Sequence, residues 1–346
     1  MTGPQKQDAL NARWQPYTDE EAADLVRVLY GLDAMPARLA SERDDTFILA
    51  TGGRQSHVLK IANPLEDEPG LIFHLSALAH LARVAPLLPV PRVIPPRGGG
   101  LVAHVEQGGC RRTVRLLTFL EGSQLNTLPR TPELARNLGI VLGDLDRALE
   151  SHAPPARPKQ QLLWDISHAM GMERLLPHVA AERQPVVRAV LAEIAAILPA
   201  WRQLPAQTIH NDFNPFNILV DPGNHTAISG ILDFGDMVHA PALNDLATAA
   251  AYLTDEPGLE LYRAIIAGYA SRRPLTPAEI GLLPSLTKAR LILTICITEW
   301  RAAERPAEAA YILRNHPAAN RGLINLQGHS AALLQALVAN AAGARP

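Results

Sequence analysis

The sequence predicts an α+β chain in two lobes, a small β-rich one at the amino terminus and a larger, mainly helical one after it. Three observations carry that reading. The chain has 346 residues, more than one hydrophobic core organises, since single cores stop growing at roughly 250–300 residues. Strand-period runs dominate up to Gly122 around one helix-period stretch, and beyond Thr131 the apolar spacing is helical almost to the end, broken by one strand pair. The expected boundaries are 1–122 for the N-lobe, with a leading helix, and 123–346 for the C-lobe.

The leading helix lies in "YTDEEAADLVRVLYGL", where Thr18 with Glu21 three residues on makes a capping box and Gly31 ends the apolar period. It is expected to sit outside the catalytic core. "DTFILAT" and "HVLKIAN" are strand-like, with "GGRQS" as the turn of a hairpin. "EPGLIFHLSALAHLARVA" brings Leu71, His74, Leu75, Leu78 and Leu81 near one helical face. "GGGLVAHVEQGGCRRTVRLLTFLEG" returns to strand period about the turn "EQGG". Thr131 as N-cap and Pro132 at the first helical position open the helical half. A Pro-rich link, "SHAPPARPKQ", precedes more helix up to "LPAWRQLPAQ", and the tail "ANAAGARP" is expected to fray.

Composition excludes several classes. With 32 basic and 34 acidic residues the formal net charge is −2, without the cationic excess of a nucleic-acid binder. The basic runs "CRRTVR" (110–115) and "SRRP" (271–274) read as solvated surface. Cys110 and Cys296 stand far apart, without metal-ligand or disulfide-scaffold spacing. The first residues contain no apolar signal core, and runs such as "LILTICI" (291–297) are too short to span a bilayer, so a soluble, cytoplasmic protein without a membrane partner is expected.

The densest chemistry lies in "TIHNDFNPFNILV" (208–220) and "GILDFGDM" (230–237). Polar side chains set among short apolar strands are costly to bury unless they bond or react. "NILV", the turn "DPGNHT" and "AISGIL" form a hairpin. If it is symmetric about its turn, Asn217 and Asp233 face one another within about 5 Å between cross-strand positions. Hard oxygen donors with few carboxylates suit Mg²⁺, whose coordination substrate phosphates complete. His210, Asp212 and Asn217, followed by Asp233-Phe234-Gly235, reproduce the order of a protein kinase catalytic loop and its Asp-Phe-Gly segment. Asp212 then accepts a hydroxyl proton, His210 braces the loop, and Asn217 with Asp233 holds the metal. Read alone, Asp212 and Asn214 are also ordinary turn residues.

Lys60, ending an apolar strand, reaches nucleotide phosphates in this reading, although a lysine there is also compatible with plain surface. No GxGxxG precedes it. "SERDDTF" (41–47) stands in that place and offers Ser41 and backbone NH groups, while "TFLEG" (118–122) links the lobes and offers the backbone of Phe119 and Glu121 to a purine. The following helix carries His74 where an acid is expected to pair with Lys60. Asp236 supports the metal site, and Asp245 caps the next helix or pins the loop. The stretch after "DFGDM" is too short for a peptide-docking activation segment, which favours a small hydroxylated acceptor.

"HNDFNPFNILV…GILDFGD…NDLA" resembles the aminoglycoside phosphotransferase and choline kinase-like superfamily. "SERDDTFIL…HVLKIANPLED", "LLWDISHAMGMERLLPHV" and "EWRAAERPAEAAYILRNHP" resemble its hydroxylysine kinase-like branch, over roughly residues 25–325. The resemblance implies a bilobal protein kinase-like fold that phosphorylates the hydroxyl of a small amine or amino acid, 5-hydroxylysine-like, with Mg²⁺ and ATP or GTP. It assigns the base to Asp212, the metal to Asn217 and Asp233, and the phosphates to Lys60; His74 departs from the superfamily's acid. Glu299, Trp300 and Arg301 are candidate acceptor-pocket residues, or a charged helix surface. An antibiotic phosphotransferase and a catalytically idle nucleotide binder are the competing readings.

Overall fold

A computed structural model describes residues 15–41, 44–155 and 162–344. Readings that fall on residues 1–14, on Glu42 and Arg43, on 156–161 of the Pro-rich link and on 345–346 lie outside the described residues. The chain divides into two compact units. One takes the residues up to Gly122 with His152–Leu162 and Ser229–Gly235; the other takes Ser123–Ser151, Leu163–Ile228 and Asp236–Pro346.

In the first unit, α1 (Asp19–Tyr30) begins on the expected capping box and ends at Gly31 in the left-handed region, φ 73°. Three strands follow, β1 (Met35–Leu39), β2 (Asp45–Thr51) and β3 (Arg54–Ile61), then α2 (Glu68–Val84), β4 (Val93–Ile94), β5 (Ala103–Gln107) and β6 (Cys110–Thr118). The antiparallel sheet runs β1-β2-β3-β6-β4, with β5 also on β6. Two glycine pairs, Gly52-Gly53 and Gly108-Gly109, supply consecutive positive φ angles at the hairpin turns, as two-residue turns of this hand require. β1 and β4 escape sequence reading because each is short or carries proline. Pro36 is tolerated since β1 is an edge strand.

Phe47, Leu49, Leu59, Ile61, Val114 and Leu116 cover one sheet face and pack with Tyr17, Ala22, Val26 and Tyr30. The leading helix is therefore part of this unit's core, because its apolar stripe has the sheet to bury against. The run 110–115 is also corrected: Arg112 and Arg115 are buried. Arg112 Nη2 lies 2.8 Å from Asp45 Oδ2, and Arg115 Nη2 lies 2.6 Å from Asp44 Oδ2. A buried charge needs such a partner, and the two aspartates at the start of β2 supply it.

The second unit opens with β7 (Ser123–Gln124) and α3 (Pro132–Leu149), capped by Thr131 as expected. Residues Ile166–His178 wind as 3₁₀ turns rather than the expected α-helix, where Pro177 and the flanking turns interrupt the 3.6 period. Then come α4 (Gln184–Trp201), β8 (Ala206–Ile209), β9 (Ile218–Asp221), β10 (Asn224–Ile231), β11 (Val238–Pro241), α5 (Leu243–Ala251), α6 (Glu260–Ala270), α7 (Pro277–Glu304), α8 (Ala309–Ile312), α9 (His316–Gln327) and α10 (Ala331–Ala341). β8 pairs antiparallel with β11, and β10-β9-β7 form a small sheet.

The β9–β10 turn is tighter than a symmetric reading supposes. Asp221 Oδ1 accepts from the backbone NH groups of Gly223 and Asn224 at 2.7 and 3.0 Å. That Asx turn centres the hairpin on Pro222-Gly223, so the register position facing Asn217 falls near Ile228, not Asp233. Helix α7 is buried without interruption from Leu282 to Thr298. By length and composition α4 and α7 could each cross a bilayer, which corrects the expectation of short runs only. The apolar window of α7 is 94% buried within the fold and that of α4 28%; α7 is buried all round, as the core helix of a large unit is.

Candidate active site

β8 ends at Ile209 and β11 starts at Val238, and these two residues are register partners. This pairing sets the start of the loop 210–217 beside Asp236: Asn211 Nδ2 donates to the Asp236 carbonyl at 3.1 Å. Asn211 itself has φ 66°, a left-handed backbone that asparagine accepts more readily than most residues. Asp245, in the first turn of α5, accepts from the backbone NH groups of His210 at 2.7 Å and Asn211 at 2.5 Å. These two bonds tie the start of α5 to the loop. His210 is fully buried, and its Nδ1 accepts from the Asp212 NH at 3.3 Å.

Asn217 Nδ2 donates to the Asp212 carbonyl at 3.0 Å and to its carboxylate Oδ2 at 2.8 Å. The other carboxylate oxygen faces a residue that sequence reasoning missed. Arg290, 2% exposed on α7, sets Nη2 3.3 Å from Asp212 Oδ1. It is held in turn by the Trp164 carbonyl at 2.7 Å and the Tyr252 hydroxyl at 3.2 Å. Its guanidinium lies 5.3 Å from the Trp164 ring centroid and 5.9 Å from that of Tyr252, within cation–π range. The signal for it was one arginine inside the apolar run 289–298, a charge that folding must pair.

Burial pushes the Asp212 carboxyl up to about 6; Arg290 opposes the shift and Asp236 adds to it. Burial likewise raises Asp245. Behind it stands Asp146 of α3, fully buried and raised well above the usual carboxylate range by burial and by the Asp245 charge. Tyr269 OH donates to Asp146 Oδ2 at 2.6 Å, while Oδ1 meets no donor. Burial and the Asp245 charge both favour the neutral form of Asp146, whose proton can then be shared with Asp245.

Other predicted residues stand apart from this cluster. Trp300 and Arg301 lie ten and eleven residues beyond Arg290 on α7, about 15 Å along the axis. Glu299 beside them is a structural clamp, accepting from the Ala180 NH at 2.7 Å, Arg183 Nε at 2.8 Å and His316 at 2.6 Å. The cavity lined by Leu125, Leu134, Phe213, Tyr252 and Leu253 is apolar and does not include the Asp212 carboxylate.

Within the first unit, Asp233 is exposed with φ 55°, and its Oδ1 accepts from the Gly235 NH at 3.3 Å. Lys60 has no carboxylate partner among the described residues. Glu68, the first-turn acid of α2, is engaged instead by His104 at 3.1 Å and Thr113 at 3.4 Å. Ser41 Oγ accepts from the Asp44 NH at 3.4 Å, the Phe119 NH is committed to the Ser56 carbonyl at 2.8 Å, and Glu121 faces Arg54 at 3.6 Å. Among the described residues no group of three or more His, Cys, Asp and Glu could hold a metal. Asn217, with its NH₂ given to Asp212, presents its amide oxygen as the remaining donor, and that hard ligand fits Mg²⁺.

Residues 37–280, more than half of the chain, match the phosphotransferase enzyme family. The chain belongs to that family. This phosphotransferase is 26% identical to hydroxylysine kinase of Danio rerio over 311 residues, 85% of this chain and 86% of that protein. It is 30% identical to homoserine kinase of Chelativorans sp. (strain BNC1) over 273 residues, 73% and 76% of the two chains. The solved microcompartment-associated aminopropanol kinase aligns with TM-score 0.68 at 22% identity, over 88% of this chain and 95% of that one. Amicoumacin kinase hAmiN, solved with AMP-PNP and Ca²⁺, aligns with TM-score 0.63 at 15% identity, over 88% and 94%. The α+β kinase-like fold and the family resemblance read from the sequence both hold, and this phosphotransferase is a small-molecule kinase.

Proposed function

We propose that this chain transfers the γ-phosphate of ATP or GTP to the hydroxyl of a small amino acid or amine, 5-hydroxylysine-like, with Asp212 as general base. The supporting observation is the Asp212 carboxylate itself. It is largely buried, held at one oxygen by Arg290 and at the other by Asn217, and its pKa of about 6 is close to the working pH a base needs. Each oxygen keeps a lone pair for the acceptor hydroxyl. As that oxygen attacks the γ-phosphorus, its proton passes to Asp212 and the bond to the bridging oxygen breaks, releasing the nucleoside diphosphate.

His210 and Asp245 fix the loop, and Lys60 takes phosphate oxygens. Asn217, through its amide oxygen, and Asp233 are the proposed Mg²⁺ ligands. When bound, the metal neutralises charge on the β- and γ-phosphates. Homoserine is the second acceptor considered, supported by the identity to a homoserine kinase.

The test is nucleoside diphosphate release with 5-hydroxylysine, homoserine, ethanolamine, choline and kanamycin, each with ATP and with GTP, using Asp212→Ala as the blank. Turnover with an amino acid that vanishes in the variant supports the reading. Turnover with kanamycin alone favours the antibiotic kinase. Bound nucleotide without turnover on any acceptor favours the idle binder.

A further inference from the structure

Strand register sorts the second face of the first unit's sheet into two rows. Directly opposed residues on antiparallel strands share a face. Ile48 pairs with Val58, Val58 with Leu117 and Leu117 with Val93, which makes one apolar row across four strands. Two residues along, Thr46 pairs with Lys60 and Lys60 with Arg115, a polar row about 7 Å from the first. The opposite face is the packed core beneath α1; on this one Ile48, Val58, Lys60, Leu117 and Val93 are half-buried, while Thr46 and Arg115 are buried.

The polar row is short of partners. Lys60 and Arg115 are directly opposed cations, an unfavourable pairing in itself. No carboxylate answers Lys60 among the described residues. Arg115 gives Nη2 to Asp44, but its Nη1 is buried without an acceptor, and Thr46 Oγ1 and Asp44 Oδ1 are buried without partners. Two adjacent cations and an unused hydroxyl beside an apolar row are a receptor for an anion attached to a flat apolar group.

We propose that Arg115 is a second phosphate-binding residue, joining Lys60 and Thr46 on the phosphate chain of a nucleotide whose base lies on the row of Val58 and Leu117. The proposal rests on the nucleotide role proposed for Lys60. Arg115 supplies at Nη1 one charge-assisted hydrogen bond to a phosphate oxygen. It compensates for the missing helix acid: with no carboxylate to hold Lys60, the phosphate itself bridges the two cations. Asp44 keeps the guanidinium oriented through Nη2 and ties the start of β2 to β6.

Dissociation constants for ATP, GTP and the matching nucleoside, measured by calorimetry on the full chain, test this. Arg115→Met is expected to weaken triphosphate binding at least tenfold and to leave the nucleoside within twofold of the parent. Arg115→Lys restores part of the loss. Asp44→Asn, which breaks the ion pair but keeps the cation, leaves triphosphate binding within threefold. Equal loss for triphosphate and nucleoside, or an Asp44→Asn defect as large as that of Arg115→Met, would make the pair purely structural and overturn the proposal. Undiminished triphosphate binding by Arg115→Met overturns it too, while a parent chain that binds no nucleotide overturns the kinase reading as well. Should Arg115→Met fail to fold, the contrast between Arg115→Lys and Asp44→Asn decides.

Discussion

Arg290 and Asp212 form an ion pair at 3.3 Å, in which the arginine is 2% exposed and the aspartate 21% exposed. The asymmetry matters. A buried guanidinium held by an aromatic pair and a carbonyl cannot turn away, so the more accessible carboxylate is positioned by the buried cation. Desolvation alone would carry Asp212 further above the ordinary carboxylate range. Arg290 is the largest opposing influence, so it keeps the proposed base ionisable near neutral pH.

Arg290→Met is therefore expected to raise the pKa of Asp212 by about 1–2 units, the usual effect of one close opposite charge. A base must be unprotonated to act, so kcat/KM of the parent falls as pH drops through the region of its break, and in the variant that break moves up. At pH 7 the loss is roughly two- to tenfold, and much of it returns by pH 9. Arg290→Lys shifts the break less. The pull of any metal bound equally in parent and variants cancels in the comparison. A pH-independent loss would show that Arg290 serves packing alone.

Asp146 and Asp245 predict opposite outcomes for the same chemical change. Asn at 146 reproduces a protonated carboxyl, donating to Asp245 and accepting from Tyr269, so Asp146→Asn folds normally. A carboxyl with a raised folded pKa contributes stability that is complete below its unfolded pKa and lost as pH rises through the folded value. Asparagine has no proton to lose, so this variant gains stability relative to the parent between pH 4 and pH 8. Asp245→Asn removes the charged acceptor of two backbone NH groups and costs about 2–4 kcal/mol, with a fall in kcat. Denaturant titrations at both pH values read the contrast; similar losses in the two variants would refute the shared proton.

Local order was legible in the sequence and burial of charge was not. The capping box at Thr18 and Glu21, the N-cap at Thr131 and the glycine turns follow from contacts within a few residues, and each appears as read. The loop 208–217 stood out as a candidate because its polar residues are consecutive in the chain. Arg112, Arg115 and Arg290 were not: each is paired with an aspartate far away in the chain, and a basic run looks the same in sequence whether solvated or buried. The hairpin centre was misjudged by treating Asp-Pro-Gly-Asn-His-Thr as one long turn, when the Asp221 side chain closes it two residues earlier.

His152 gives the first unit an acid-sensitive point. It sits against α2, with Nε2 3.0 Å from Ser76 Oγ, and its ring centroid is 5.4 Å from that of His80 and 6.1 Å from that of Phe73. Burial, helped by His80, lowers its pKa to about 4. The unfolded chain takes up this proton first, so the stabilisation is complete above the unfolded value near 6.5 and is lost as pH falls toward 4. His152→Gln should flatten that part of the stability profile. Melting temperatures at pH 7, 5.5 and 4.5 measure it, and a parent that loses no more than the variant on acidification would contradict the assignment.

Gly139 and Gly143 on α3 and Gly268 on α6 mark a helix crossing closer than side chains permit. A Cβ at Gly139 would collide with the Ile265 carbonyl, and one at Gly268 with the Arg136 carbonyl. In each case the obstacle is backbone, which no rotamer change relieves. Glycine inside a helix costs about 1 kcal/mol relative to alanine, so on propensity alone Gly268→Ala would stabilise. The crossing reverses that sign: overpacking costs about 1–3 kcal/mol or more, and either alanine variant is expected to be destabilised. The consequence reaches the site, because α3 carries Asp146 and α6 carries Tyr269, the two groups behind Asp245. Separating the helices lengthens the Tyr269–Asp146 hydrogen bond and loosens the loop that Asp245 pins, so kcat of Gly139→Ala falls even at temperatures where the variant remains folded. Unfolding midpoints together with kcat well below the midpoint test both parts, and a destabilised variant with parental kcat would separate the crossing from the catalytic loop.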